Sequence, residues 1–222
     1  MVYKIAYPSV TLRYLLTLEV ESNGQRKISA GVIEVTYSKN PRLLGASAAK
    51  TTAVDGQAVW VDLGERDALF ALLKGGRHPR SGPEYVIPVL FGVTTGGFGP
   101  EDFGRIGALN GQRDVPFELL PLTVRLRNVN DPNSAELFDP NVAPDSPGDG
   151  LRLVRATIEI VSTGVFPLSV LGITGVSVSR GIEAKLPWLM GFRGLSGGQF
   201  DIDQLRPEKN LTGTDFIKGH VR

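Results

Sequence analysis

The 222 residues contain no cysteine. That excludes disulfide frameworks, thiolate zinc sites, iron–sulfur ligation and cysteine nucleophiles, and leaves cytosol and periplasm equally open. Histidine is scarce: His78 and His220 are the two present, and neither stands in the H-E-x-x-H or H-x-E setting that zinc chemistry uses. No stretch approaches the ~18 consecutive apolar residues of a membrane-spanning helix. The opening MVYKIAYPSVTLRYLL has no basic segment ahead of an uninterrupted apolar one, so no signal peptide is expected in the chain as given. An excess of one charge is missing as well. The 24 basic and 23 acidic residues are interspersed, which argues against a nucleic-acid arm or a lipid-binding patch. The phosphate loop G-x-x-x-x-G-K-[ST] and the serine elbow G-x-S-x-G do not occur; Gly194-Leu195-Ser196-Gly197-Gly198 misses the latter by one residue.

What is present is turn chemistry and alternation. Against an average of roughly 12% for glycine and proline together, the chain has 27 glycines and 15 prolines, so many turns are expected. Leu12, Tyr14, Leu16, Leu18 and Val20 alternate with polar residues, apart from Leu15, as in a strand with one buried face. Ser22-Asn23-Gly24-Gln25 then reads as a hairpin turn, because both central residues of a type I′ turn need positive φ. The return run to Tyr37 changes phase, which predicts a bulge near Gly31. A second hairpin is expected around Val54-Asp55-Gly56-Gln57. Ala68, Leu69, Leu72 and Leu73 form a helical stripe between Glu65 and Lys74, closed by Gly75-Gly76. Tyr85 to Val93 reads as a buried strand bearing Pro88, and Asp102 to Leu109 as a short helix. Two alternating runs, 122–126 and 154–160, are expected to pair and to frame one long loop. Ile173 to Ser179 reads as a further strand and Ile182 to Met190 as a helical turn. The expected fold is α+β: mainly antiparallel β hairpins, sandwich- or barrel-like, with two or three short helices. Residues 1–205 form one β-rich domain, and 206–222 a mobile tail.

The loop NDPNSAELFDPNVAPDSPGDG supplies Asp139, Asn141, Asp145 and Asp149 as metal candidates, since hard cations want clustered oxygens. A calcium loop starting at Asp139 would place Ala143, Pro144 and Gly150 where a ligand, a glycine and a bidentate acid belong. A solvated connecting loop is the better reading, and neither metal nor cofactor is expected. Trp60, Tyr85, Phe91 and Trp188 are candidate ligand or partner contacts, set against the commoner role of large aromatics as core. Glu159, Asp62 and Glu84 are the carboxylates available to a hydrolase. Arg125, Arg127 and Arg155 read as cross-strand ion pairs rather than as a nucleic-acid surface.

LRYLLTLEVESNG with SAGVIEV, VWVDLGERDALFALLKG, NDPNSAELFDP with RLVRATIEIV, and GIEAKLPWL together resemble a group of bacterial, largely proteobacterial, envelope-associated proteins with no known activity. The resemblance implies the periplasm or cell surface and a hydrophobic N-terminal segment ahead of the first strand; this chain begins almost at that strand, so either it departs from the group or its leader has been removed. The leading functional expectation is a non-enzymatic envelope or assembly protein that self-associates or binds a protein partner. A small-molecule or glycan-binding module is the alternative, and a carboxylate-dependent hydrolase the third.

Overall fold

A computed structural model describes residues 8–39, 50–93, 102–141, 150–164, 175–192, 199–200 and 211–219. The expected strand that alternates from Leu12 is β1 (Ser9–Ser22), and it returns through β2 (Gln25–Lys39). Asn23 and Gly24 turn the chain with φ of 52° and 75°, as the Asn-Gly pair requires. These strands sit in a six-stranded sheet of order β12-β3-β2-β1-β9-β6. The other members are β3 (Lys50–Gln57), β6 (Gln112–Asp114), β9 (Arg152–Val161) and β12 (Ile217–Lys218). A four-stranded sheet, β4-β5-β7-β8, packs beneath it, formed by Val59–Gly64, Asp67–Gly75, Pro121–Leu126 and Ala135–Leu137. All pairings are antiparallel. A small ladder joins β10 (Gln199–Phe200) to β11 (Leu211–Thr212). The architecture is therefore mainly antiparallel β and sandwich-like, with short helices at its margins.

Two cores share the small sheet. The first lies between the sheets: Leu12, Tyr14, Leu16, Leu18 and Val20 from β1, with Ile33, Val35 and Tyr37 from β2, meet Val59, Val61, Leu69, Ala71 and Leu73. The second covers the opposite face, where Phe70, Leu72, Leu122 and Val124 meet Ile182, Leu186, Leu189, Leu211 and Phe216. Helices α3 (Ile182–Lys185) and α4 (Gly213–Phe216), with the 3-10 turn Pro187–Phe192, build that outer layer.

Several expectations are corrected. Residues 65–74 form no helix. Every residue from Ala68 to Leu73 is buried because β5 is central in its sheet and packed on both faces, and such a run imitates a helical stripe. Residues 85–93 are no strand: helix α1 (Pro83–Leu90) starts with proline in its first turn. Pro88 has no N–H for the carbonyl of Glu84 four residues back, and the Tyr37 hydroxyl donates to that oxygen instead, at 2.9 Å. The helix at Asp102–Gly107 (α2) forms as expected. Asp55-Gly56 is no hairpin turn; it ends β3, after which Ala58 carries the chain into the other sheet.

No bulge falls at Gly31. The β1–β2 register is unbroken, and the irregularity lies between β1 and β9 at Glu19/Val20. The phase change has another cause. Ile28 and Ala30 are exposed while Ile33, Val35 and Tyr37 face the core. Gly31 sits where a side chain would meet Val59 Cγ2 at 2.8 Å, so the bare backbone lets β2 approach β4.

The runs 122–126 and 154–160 do not pair: β7 joins β5 and β8, whereas β9 joins β1 and β6. The intervening loop contains β8, and its residues 142–149 lie outside the described set. Of the expected 173–179 strand, residues 175–179 are described and form no strand, and 173–174 lie outside the described set. The segment expected to be a mobile tail includes α4 and β12: Leu211 and Phe216 are fully buried, and Ile217 pairs with Gln57. Residues 206–210 and 220–222 lie outside the described set.

Candidate functional site

The site with most to offer is half of β2. Along one side β2 is paired with β1 over its full length; along the other, β3 covers only Glu34 to Lys39. The reason is local. Strand β3 ends at Gln57, paired on its far side with β12, and the chain then turns into the lower sheet. Val32, next in line, is met by Ser179: the Ser179 amide donates to the Val32 carbonyl at 3.1 Å, and the Val32 amide to Ser179 Oγ at 2.9 Å.

Ser179 belongs to an irregular strap, residues 175–181, tied to the sheet at several points. The Val176 amide donates to the Ser162 carbonyl, Arg13 donates to the Val176 carbonyl, Arg180 pairs with Asp55 at 2.6 Å, and the Ile182 amide donates to Gln57 Oε1. Beyond Val32, from Gly31 back to Gln25, no described residue pairs with the outer side of β2. Because Val32 directs both its amide and its carbonyl outward, alternation aims those of Ala30, Ile28 and Arg26 the same way. Ile28 is 67% exposed there, with Gln25, Arg26 and Ala30 also exposed. Among the described residues this is a sheet edge open to an added strand. The outer face beside it is polar: Arg13–Glu34, Arg26–Glu19 and Arg152–Glu21 link neighbouring strands.

The residues singled out in the sequence are dispersed. Trp60 lies on β4 under the ammonium of Lys185, 4.8 Å above its ring, and Lys185 also bonds Asp62. That hydrogen bond holds the Asp62 carboxyl below its ordinary pKa. Trp188 is half-buried, donates Nε1 to the Val129 carbonyl at 2.7 Å and stands edge-on to Phe216. Both tryptophans border the second core, whereas Tyr85 is 43% exposed on α1, a helix of the first core. Phe91 follows that helix and lies under Arg113. Glu159 is on β9, Asp62 on β4 and Glu84 on α1, three separate elements.

Asp139 Oδ1 accepts the Asn141 amide in a tight turn, and Asp139 pairs with Arg77. These two residues stand at a cleft of about 80 Å³ lined also by Phe117, Leu137 and Phe138, room for a handful of waters. Asp145 and Asp149 lie outside the described residues, as does His220. Among the described residues no group of three or more histidines and carboxylates is placed to hold a metal. His78 Nδ1 accepts the Arg80 amide within its loop. Arg125 is bidentate on Asp67, Arg127 pairs with Glu136 and Arg155 with Asp114. The ion pairs exist, but not across the strand pair first expected. Among the described residues no helix is long and apolar enough to cross a membrane.

Sequence reasoning missed the β2 edge. The signal was there: Ile28 and Ala30 fall out of phase with the buried set.

No protein-family model, no curated protein and no solved structure matches the chain.

Proposed function

We propose that the protein is a non-enzymatic assembly module that binds protein by adding a strand to β2. The observation that carries this reading is the edge from Gln25 to Gly31, which no described residue pairs and which is centred on an isoleucine that is 67% exposed. Such an edge offers main-chain hydrogen bonds to any extended segment and a side-chain contact to a matching one. Natural sheets blunt free edges with charge, and Arg26 and Lys27 occupy one end of this one. On the sequence resemblance alone, the place of work is the periplasm or cell surface.

The test is Ala30→Pro, which deletes an outward amide that no described residue accepts while keeping the ladder to β1. The folded variant is compared with wild type by mass in solution and by proteins retained during mild purification. Loss of a stoichiometric contact in the variant supports the reading. Identical associations in both overturn it.

A further inference from the structure

The open edge is bounded on both sides: the Asn23-Gly24 turn ends it below, and Ser179 occupies Val32 above. Its midpoint is Ile28, the most exposed of the large apolar side chains among the described residues. We infer that the partner of this edge is a second copy of the same edge, paired antiparallel about a two-fold axis at Ile28. This rests on the strand-addition reading above and goes further by fixing occupant and register.

The register follows from which backbone groups point outward. A closed dimer presents the same patch twice. Only a few axes fit between the turn and the strap. An axis at Lys27 sets two lysine ammoniums opposite each other, and like charges directly opposite are destabilising. An axis at Ser29 brings Arg26 against Val32, whose outward groups Ser179 already holds. That leaves two residues on each chain to bond.

An axis at Ile28 pairs Ile28 with its own copy and Arg26 with Ala30 of the second chain. Lys27 then lies opposite serine, and no cation faces another. Every outward amide and carbonyl from Arg26 to Ala30 finds a partner, about six hydrogen bonds in all. The two Ile28 side chains, each standing out of the polar outer face, cover each other. Two six-stranded sheets would become one continuous sheet.

The absence of cysteine makes the test clean. Across a hydrogen-bonded antiparallel pair the Cα atoms lie about 5.5 Å apart, within disulfide range. Ile28→Cys is therefore expected to cross-link under mild oxidation into a species of twice 23.9 kDa. Ala30→Cys, displaced by two residues on each chain and so ~14 Å from its copy, is expected to stay single. Val176→Cys on the strap serves as the control for random collision. The Arg26→Cys/Ala30→Cys double variant should restore the cross-link.

Light scattering of the wild type across concentration, with Ala30→Pro beside it, completes the experiment. A dimer lost in Ala30→Pro together with the Ile28→Cys cross-link supports the proposal. A wild-type monomer whose Ile28→Cys cross-links no faster than Val176→Cys overturns it. If such a monomer still holds another protein through a contact that Ala30→Pro abolishes, strand addition survives and self-pairing falls. A dimer indifferent to Ala30→Pro and without the Ile28→Cys link defeats both.

Discussion

The two faces of the small sheet are covered in different ways. Its inner face meets the long, regular strands β1 and β2, whose side chains alternate and which are joined by one tight hairpin. Its outer face meets short pieces from 182–189 and 211–217, brought from more than 100 residues beyond the β5 strand they cover. Both cores contain fully buried large side chains, such as Leu16 and Phe216. Burial therefore does not distinguish the two faces, and neither does sequence distance, since Ala156 and Ile158 of β9 also join the inner core; the regularity of the covering elements does.

Phe70 faces the outer layer and meets Phe216 edge-on, with ring centroids 5.8 Å apart. If the outer layer is as integral as the inner one, Phe216→Ala should destabilise as much as Phe70→Ala, each by about 3–5 kcal/mol. Urea unfolding measures both. A Phe216→Ala cost near zero would reduce the outer layer to a loose cover and break the equivalence.

Tyr37 tests the inner side. Its hydroxyl serves the Glu84 carbonyl that Pro88 leaves without an amide, so Tyr37→Phe should cost about 1–3 kcal/mol. In a Pro88→Ala background, where residue 88 regains an N–H, the same change should cost less. A double-mutant cycle reads the difference.

Burial pushes the hydroxyl pKa of both Tyr14 and Tyr37 well above the ordinary value, with Glu84 adding to the shift. A raised folded pKa means that above pH ~10 the unfolded chain releases protons that the folded one keeps. Stability should then be fully present below pH ~10 and fall above it, by up to about 1.4 kcal/mol per pH unit for each tyrosine. Tyr37→Phe should make that alkaline decline shallower.

The smallest effect is expected where the two faces share a turn. Glu65 and Arg66 connect β4 to β5 with φ of 44° and 73°, unusual for residues with side chains. Glu65→Asn with Arg66→Gly supplies the pair a type I′ turn favours and should stabilise by about 1 kcal/mol, seen as a higher Tm. An unchanged Tm would mean that the surroundings already relieve the strain.

That turn also explains the largest misreading of the sequence. With no Asn-Gly pair to mark the break, Glu65-Arg66 passes for the start of a helix, and the doubly buried β5 passes for its stripe. The β1–β2 hairpin was legible because one face is polar and the turn residues declare themselves. Helix α1 was hidden by Val86, Ile87 and Val89, whose branching suits strands, and by Pro88, whose missing bond is replaced from a residue far back in the chain. The outer layer left no periodic trace, since each of its pieces is only a turn or two long. The open edge was visible only as a lapse in phase at Ile28 and Ala30. Its meaning depended on where β3 turns away, a tertiary fact.

The placement of β9 beside a hairpin made more than 100 residues earlier has a consequence during synthesis. Strand β1 receives its second neighbour only when residues 152–161 have been made. At about 5–20 residues per second, the finished hairpin waits roughly 6–24 s with that edge bare. The ribosome thus releases an adhesive two-stranded ribbon well before its cover, and whatever shields it in that interval governs how much of the protein reaches the folded state.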